Sequence, residues 1–254
     1  MGDILKVSII TATYNSQEYI SKTYESIKKQ TYKDWEWIVT DDCSSDDTYS
    51  ILSSIADNDI RVKLFVNKVN SGAAIARNNS LDFASGEFVA FIDSDDLWEP
   101  EKLSMQLEFM QESNSDFSFT AYQLISNDGA LLGKTIDSSN SGSFNYFDML
   151  KKRATLGCST VIISKTLLNE RRMPNIRTGQ DYAFWLSIMK SGHSANILPV
   201  VLTKYRISNN SISRNKFKKA LRQWEIYRGF EKLGVIKSLF YFVFYAFHAV
   251  FRRA

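Results

Sequence analysis

Short apolar runs alternate with helical patterns through the first part of the chain. The runs predict strands at residues 7–11, 36–40, 62–66 and 88–92, and the patterns between them predict helices at residues 18–30, 48–56 and 73–84. Strands separated by helices of this length are typical of βαβ crossovers. This part of the chain is therefore predicted to form an α/β unit on a mostly parallel sheet.

Each of these predicted strands ends in a cluster of polar residues. In chain order the clusters read TYN, DDCSSDD, NKVNSG and DSDD. Open α/β sheets bind ligands in the crevice outside the carboxyl ends of their strands, so the clusters are expected to meet at one edge. The sequence thus predicts a single polar site at that edge.

The second part of the chain is less regular. It predicts strands at residues 117–125, 160–164 and 200–206 and a helix at residues 180–190. Residues 128–143 are rich in serine and glycine, which favours a mobile loop. We expect one domain over residues 1–212, divided into halves at 1–98 and 99–212, followed by an extension at 213–254.

The extension is basic and then aromatic. Its last segment, KSLFYFVFYAFHAVFRR, has an apolar run from residue 239 to 251, which is shorter than the roughly 20 residues that span a bilayer. Lys237, Tyr241, Tyr245, His248 and Arg252 fall on one stripe at helical spacing. This composition favours a helix at a membrane interface, and the alternative is a helix packed on the protein's own core.

Composition excludes several kinds of chemistry. The net charge of +3 is too small to indicate a nucleic-acid partner, and two isolated cysteines fit a reducing compartment. The N-terminal segment lacks the features of an export signal. With only two histidines in the chain, a histidine-based metal site or a Ser-His-Asp triad has little material, so a carboxylate is the expected general base.

The strongest local signal is FVAFIDSDDLW, in which Asp93, Asp95 and Asp96 directly follow a predicted apolar strand. Adjacent carboxylates repel one another unless a cation or backbone donors absorb their charge. Magnesium binds such oxygen ligands together with substrate phosphates. A calcium loop is disfavoured because its sixth-position glycine is missing and Ser104 replaces its final glutamate. A helix-capping turn without a ligand remains the alternative.

Five segments occur in a fixed order: SIITATYN, QTYKDWEWIVTDDCSSDDT, NSGAAIARN, SGEFVAFIDSDD and GQDYAFWLSIMKSG. Together they resemble family 2 glycosyltransferases of the GT-A fold, the inverting kind that builds bacterial polysaccharides from nucleotide sugars. Small O-antigen, capsule and teichuronic-acid enzymes give the nearest likeness. The resemblance implies an α/β GT-A fold with a mostly parallel central sheet, flanking helices and a C-terminal helical extension.

The resemblance also implies roles for particular residues. It assigns nucleotide-sugar contacts to Ala12, Tyr14, Asp41, Asp42, Arg77, Asp93 and Ser94, and a contact with a divalent metal, Mn²⁺ or Mg²⁺, to Asp95 as part of a DxD motif. Of the pair Asp41 and Asp42, one is expected to hydrogen-bond the base. The alternatives are that both aspartates cap a loop and that Arg77 is a surface residue.

An inverting transfer also needs a general base for the acceptor hydroxyl. By the resemblance this base is the second acid of a Glu-Asp pair that begins a helix, which here is Asp181, and the alternative is an acid favoured by the helix dipole. Gln180 replaces the usual glutamate, and Cys43 replaces the usual glycine of an Asp-Asp-Gly-Ser turn. Gln180 and Trp185 are candidate acceptor contacts, although a core position for Trp185 is the alternative.

The expected function is transfer of a sugar from a nucleotide sugar, most simply a UDP-sugar, to a polyprenyl-diphosphate-linked glycan. The expected location is cytoplasmic, at the inner face of a bacterial membrane. A nucleotidylyltransferase or a dinucleotide-binding enzyme needs a glycine-rich loop after the first strand, and TATYNSQEY contains no glycine. An inactive scaffold of the same fold that binds nucleotide or glycan is the remaining alternative.

Overall fold

The computed structural model describes residues 5–207 and 216–251, with the side chains of 216–218 and 248–251 left out. The first half contains strands β1 (Val7–Thr13), β2 (Trp35–Asp41), β3 (Val62–Val66) and β4 (Phe88–Phe91) and helices α1 (Ile20–Lys28), α2 (Thr48–Asn58) and α3 (Ala73–Leu81). These strands lie in the order β3-β2-β1-β4, and every neighbouring pair is parallel. The predicted parallel α/β unit is confirmed.

The same sheet continues into the second half. The elements are β5 (Leu97–Trp98), α4 (Lys102–Glu112), β6 (Phe117–Ile125), β7 (Leu131–Ile136), β8 (Ser143–Phe144), α5 (Tyr146–Leu150), β9 (Val161–Ser164), α6 (Lys165–Leu168), α7 (Gln180–Lys190) and β10 (Ala195–Arg206). From β4 the order runs β9-β6-β10-β5, with β9 antiparallel to both its neighbours. Both predicted halves therefore share one mixed sheet.

Two predictions for this half need correction. The segment at 128–143 is not a plain mobile loop, because β7 pairs with β6 and β8 pairs with β10. The apolar and β-branched residues of β7 pair as a strand, and the serine- and glycine-rich part is confined to the connection after it. Strand β10 also begins earlier than predicted, since the sheet accommodates Pro199 with register shifts between Leu198 and Val201 and then Thr203.

The sheet is buried on both faces, which explains the near-continuous burial of β1 and β2. Alternate residues of β1 point to opposite sides, so Ile9 joins the core under α1 and α4, and Ile10 joins the core under α7. Ile9 and Ile10 are each 0% exposed, so both cores exclude solvent from this part of β1. The strands are thus fixed, and their ends can hold loops in a defined position.

The extension contains α8 (Lys216–Glu225), a π-helical turn (Ile226–Phe230) and α9 (Val235–Phe251). Tyr241 and Phe242 of α9 pack against the core that includes α7, and Phe242 meets Trp224 edge-on. None of the helices in the described ranges is long and apolar enough to cross a membrane. The predicted domain boundary at residue 212 and the stripe member Arg252 lie outside the described residues, as does the side chain of His248.

Tyr241 belonged to the predicted polar stripe of α9, but the structure turns it toward the protein. The opposite side of α9 is apolar and exposed. Its members are Ile236, Leu239, Phe240, Val243 and Phe247, each at least 51% exposed. We call this set the α9 apolar stripe. One face of α9 therefore packs on the protein's own core, as one of the two interpretations expects, and a membrane contact of the other face stays a prediction.

Candidate functional site

The four polar clusters meet at the carboxyl edge of the parallel strands, as predicted, and hydrogen bonds join them. Asn15, after β1, accepts from the backbone N–H of Ser45 at 2.9 Å, which links the first cluster to the second. The hydroxyl groups of Ser16 and Ser94 lie 2.8 Å apart and link the first cluster to DSDD. The clusters therefore form one continuous polar surface.

Asp41 and Asp42 are buried and cap loops in this surface. Asp41 accepts from the hydroxyl and the backbone N–H of Ser44, at 2.5 and 3.0 Å. Asp42 accepts from the side chain of Asn67 at 2.6 Å and from the backbone N–H of Gly72 at 2.7 Å. The loop-cap alternative describes both carboxylates, and a contact of either one with a nucleotide base stays a prediction.

Cys43 occupies the position where the resembled family usually has glycine, and its backbone has φ = +63°. This left-handed conformation costs a residue with a Cβ atom about 1–2 kcal/mol. The turn therefore keeps the geometry that glycine serves, and the strain is borne by Cys43. Cys43 thus adopts a φ value in the region that favours glycine.

Replacing Cys43 with glycine is expected to raise the free energy of unfolding by about 0.5–1 kcal/mol, because the relief of strain exceeds the entropy that glycine loses on folding. Denaturant unfolding would measure the change. Cys43→Ala is the matched control, since alanine also loses the thiol but keeps the strained backbone. An equal gain in both variants would show that the thiol, and not the backbone, is responsible.

The three aspartates of DSDD have different surroundings. Asp96 is 1% exposed and accepts from the backbone N–H of Arg206 at 2.9 Å and from Ser159 at 2.5 Å. Burial, followed by the charges of Asp95 and Asp93, raises its pKa well above the usual range. Asp93 forms an ion pair with Arg77 at 2.5 Å. Asp96 is therefore part of the scaffold, and Asp93 and Asp95 face the site.

Asp95 forms no ion pair within the described residues. Its pKa is raised to about 6 by burial and then by the charge of Asp93, against the opposing effect of Arg206 and Arg77. No group of three or more potential ligands for a metal is assembled in the part of the chain that is described. A divalent cation at Asp95 would therefore depend on substrate oxygens for most of its ligands.

Arg77 interacts with two predicted site residues from distant parts of the sequence, Asp93 and Asp181. It is 6% exposed, so the alternative of a surface arginine is wrong. Burial alone lowers the pKa of its guanidinium, but the electrostatic interactions with Cys158, Asp93 and Asp181 outweigh this effect, so the net shift is upward. Its Nε and Nη1 atoms are buried without a hydrogen-bond partner. A buried cation with two unused donors is suited to an anion such as a phosphate.

Asp181 lies in the first turn of α7 and is half-buried. It is close enough to Arg77 to raise the pKa of that arginine, so the fold brings the predicted base to the predicted nucleotide site. Beside it, the Oε1 atom of Gln180 is a buried acceptor without a donor. An acceptor of this kind is available to a hydroxyl group of a bound ligand.

The exposure of the remaining predicted residues varies. Tyr14 is 48% exposed at the rim of the site, while Ala12 is 9% exposed below it. Trp185 is 0% exposed and packs against Phe91 and Phe117 at ring-centre distances of 5.3 and 5.7 Å. A stacking platform must expose a face of its ring, so the prediction of Trp185 as an acceptor platform is wrong.

Three residues at this site were missed by the sequence interpretation. Ser159 accepts from the backbone N–H of Asp93 at 3.0 Å, and Cys158 lies beside Arg77 and Asp93. Arg206 donates to the backbone carbonyl of Asp95 at 2.8 Å. The only sequence signal was the small-residue segment GCST before a strand, which does not by itself predict a site.

The mixed sheet, with polar clusters at the carboxyl edge of its parallel strands, agrees with the GT-A fold that the sequence resemblance implied. The family model "Glycosyl transferase family 2" matches residues 8–172, and the chain belongs to this family. It is therefore a glycosyltransferase.

Two curated relatives are similar in sequence to this chain over nearly its whole length. It is 45% identical to a "Putative teichuronic acid biosynthesis glycosyltransferase TuaG" from Bacillus subtilis (strain 168), covering 97% of each protein. It is 41% identical to the "UDP-Glc:alpha-D-GlcNAc-diphosphoundecaprenol beta-1,3-glucosyltransferase WfgD" from Escherichia coli, covering 89% of this chain and 86% of that protein. The relatives are bacterial glycosyltransferases, as the sequence resemblance implied.

Among solved structures, S. aureus TarS 1–349 in complex with UDP matches with a TM-score of 0.68 and 25% identity, over 87% of this chain and 66% of that one. A mannosyltransferase from Pyrobaculum calidifontis, in complex with GDP-Man and Mn²⁺, matches with a TM-score of 0.70 and 18% identity, over 91% and 65% of the two chains. The chain thus spans about two thirds of the length of each of these solved chains. These matches confirm the predicted fold.

Proposed function

We propose that the protein transfers a sugar from a UDP-sugar to a hydroxyl group of a polyprenyl-diphosphate-linked glycan, with inversion at the anomeric carbon, during synthesis of a bacterial surface polysaccharide. The observation that carries the proposal is the buried guanidinium of Arg77, which is paired with Asp93 at 2.5 Å, interacts electrostatically with Asp181 and has two donor atoms without a partner. The relative WfgD supports the donor and the lipid-linked acceptor by its name, and the TarS complex supports UDP.

The donor occupies the edge of the sheet between TYN and DSDD in this proposal. Tyr14 covers the nucleotide from the rim, and Asp93 contacts the ribose. The unused donors of Arg77 bind the diphosphate, which satisfies two buried N–H groups that otherwise have no partner. Asp93 and Arg77 are held together in advance by their ion pair, so little ordering is required when the nucleotide binds.

Asp181 acts as the general base. A sugar hydroxyl is a far weaker acid than a carboxyl group, so its proton moves to Asp181 only as the new bond forms. The hydroxyl oxygen attacks the anomeric carbon on the face opposite the diphosphate, and the product is β-linked when the donor is α-linked. Gln180 accepts a hydrogen bond from the acceptor sugar through its unpartnered Oε1.

The residues present fit a divalent metal. Asp95 supplies a hard oxygen ligand without a competing ion pair in the described chain, and the carboxylate of Asp93 adds a second negative charge close to it. Asp95 would hold Mn²⁺ or Mg²⁺ together with oxygens of the diphosphate. The cation would supply charge neutralisation for the leaving diphosphate.

Calorimetry with UDP, GDP, dTDP and CMP, each with and without Mn²⁺, tests the donor side. We expect UDP to bind, with an affinity at least about tenfold higher when Mn²⁺ is present, because one added charge contact of about 1.4 kcal/mol corresponds to that factor. Preference for another nucleotide would change the donor class. Absence of any nucleotide binding would contradict the proposed function.

The proposed location is the cytoplasmic face of the bacterial membrane, with peripheral contact through the α9 apolar stripe. The stripe exposes large apolar side chains along one face of a helix, as amphipathic interfacial helices do. We expect Val243→Glu to reduce binding to phosphatidylglycerol vesicles in a flotation assay by at least about tenfold, since a charge is excluded from the acyl region.

Ile60→Glu is the matched control for the vesicle assay. Ile60 is 97% exposed and lies on the turn between α2 and β3, outside the α9 apolar stripe. The glutamate therefore adds the same charge without changing the stripe. Equal losses in both variants would show a general charge effect. Unchanged vesicle binding by Val243→Glu would contradict the membrane contact.

A further inference from the structure

The C-terminal extension packs against the residues next to the predicted base. Gly179, which precedes α7, has φ = +77° and no side chain. A Cβ atom there would lie 3.2 Å from Cδ and 3.4 Å from Nε of Arg222 on α8. The side chain of Arg222 is therefore packed against the backbone two residues before Asp181.

This contact is part of a fixed arrangement. Gln223, the next residue of α8, donates to the hydroxyl of Tyr182 at 3.2 Å, and that hydroxyl donates to the carbonyl of Met149 at 2.9 Å. Ile226 also lies against Gly179, 3.1 Å from the same Cβ position. The extension is thus attached to the first turn of α7 on both sides of Asp181 in sequence, and Arg222 cannot move independently of the site.

The described residues supply no carboxylate partner for the charge of Arg222, although its side chain is half-buried. A guanidinium held in one place without a carboxylate partner is suited to a phosphate, which it binds with two parallel hydrogen bonds. The unpartnered Oε1 of Gln180, in the same turn, independently indicates that a ligand group belongs here.

We propose that Arg222 binds the diphosphate of the lipid-linked acceptor. The inference rests on the proposed function, in which an acceptor hydroxyl lies at Asp181. If the acceptor carries a single sugar, as the name of WfgD states for that relative, its diphosphate lies only one sugar ring from the reacting hydroxyl. Arg77 then binds the donor diphosphate and Arg222 the acceptor diphosphate, with Asp181 between them.

The arrangement also orients the lipid. The chain passes from α8 through the π-helical turn into α9, whose apolar stripe is exposed. A diphosphate at Arg222 leaves its polyprenyl chain on the side of the molecule that carries this stripe. The extension would therefore select acceptors that bear a charged lipid linkage and place their sugar toward Asp181.

The test compares two soluble acceptors with a panel of UDP-hexoses as donors: N-acetylglucosamine diphosphate on a short alkyl chain, and the neutral alkyl glycoside of the same sugar. Arg222→Ala is expected to raise KM for the diphosphate acceptor by at least about tenfold and to leave KM for the neutral glycoside unchanged. Arg222→Lys should recover part of the loss. UDP affinity should be the same in all variants.

Lys232→Gln is the control, because it removes one positive charge from an exposed position of the same extension. Thermal unfolding of each variant identifies a folding defect, and Arg222→Gln provides a less disruptive second variant. An equal rise of KM for both acceptors, or no rise for either, would overturn the inference. Loss of binding to phosphatidylglycerol vesicles without a change in KM would assign Arg222 to membrane phospholipid instead and would also overturn it.

A failure of the proposed function would give a different result from a failure of the Arg222 contact alone. In that case the wild-type protein would bind no UDP and transfer sugar to neither acceptor, and the inference would fall with the function. If the wild-type protein transfers sugar equally well to both acceptors, the glycosyltransferase proposal stands and only the diphosphate contact is refuted.

Discussion

Asp181→Asn is expected to lower kcat for sugar transfer by about 10²–10⁴-fold, the usual contribution of a positioned general base. Asparagine keeps the size and the hydrogen-bonding shape of the side chain but cannot accept the hydroxyl proton. Since Asp181 does not itself hold the nucleotide in the proposed mechanism, UDP affinity should stay within about twofold of the wild-type value. Steady-state kinetics with a diphosphate acceptor, together with calorimetry of UDP, would measure both quantities.

The alternative for Asp181 is an acid that only stabilises a helix start, and α5 offers the matched control. Asp148 occupies the first turn of α5 and completes a capping box with Asn145. Asp148→Asn should cost about 0.5–2 kcal/mol of stability and leave turnover unchanged. If Asp181→Asn behaves in the same way, Asp181 is a helix acid and the general base must be sought elsewhere.

The same pair of measurements separates the enzyme from an inactive scaffold. A scaffold would bind nucleotide or glycan, and neither its binding nor its negligible turnover would respond to Asp181→Asn. A large loss of kcat with UDP binding retained is a result that only the enzyme gives.

The parallel half of the fold was predictable because its signals are local. Each strand from β1 to β4 is a short apolar run, each is followed by a polar cluster, and the connections are long enough for helices. Parallel strands must place their carboxyl ends at the same edge, so the meeting of the four clusters followed from topology alone. No knowledge of side-chain packing was needed for that step.

The second half was less predictable because its strands pair over long distances. The attachment of Arg206 to Asp95 joins residues 111 positions apart, and no sequence pattern marks it. The prediction for Trp185 was wrong for a different reason. Its position four residues after Asp181 places it near the same side of α7, which suggested that it faces the acceptor. One turn further along the helix, however, that side packs against Phe91 and Phe117, which cover the ring.

Asp95→Asn is expected to abolish the effect of Mn²⁺ on UDP binding. The amide is neutral and a weaker metal ligand, and the neighbouring carboxylate of Asp93 is already held in its ion pair with Arg77. UDP affinity in the presence of Mn²⁺ should therefore fall to the metal-free value, a loss of at least about tenfold. Affinity without metal should change little, since Arg77 still binds the diphosphate.

Asp96→Asn tests whether the position of the carboxylate matters. Asp96 is adjacent in sequence but points away from the site, where it accepts from the backbone N–H of Arg206 and from Ser159. The pKa of its carboxyl is raised well above the usual range by burial, so the neutral amide suits its surroundings better than it suits those of Asp95. Asp96→Asn should keep the response to Mn²⁺. A protein in which both variants retain that response does not hold its metal through Asp95, and one in which both lose it has suffered a general distortion of the DSDD turn, which thermal unfolding would reveal.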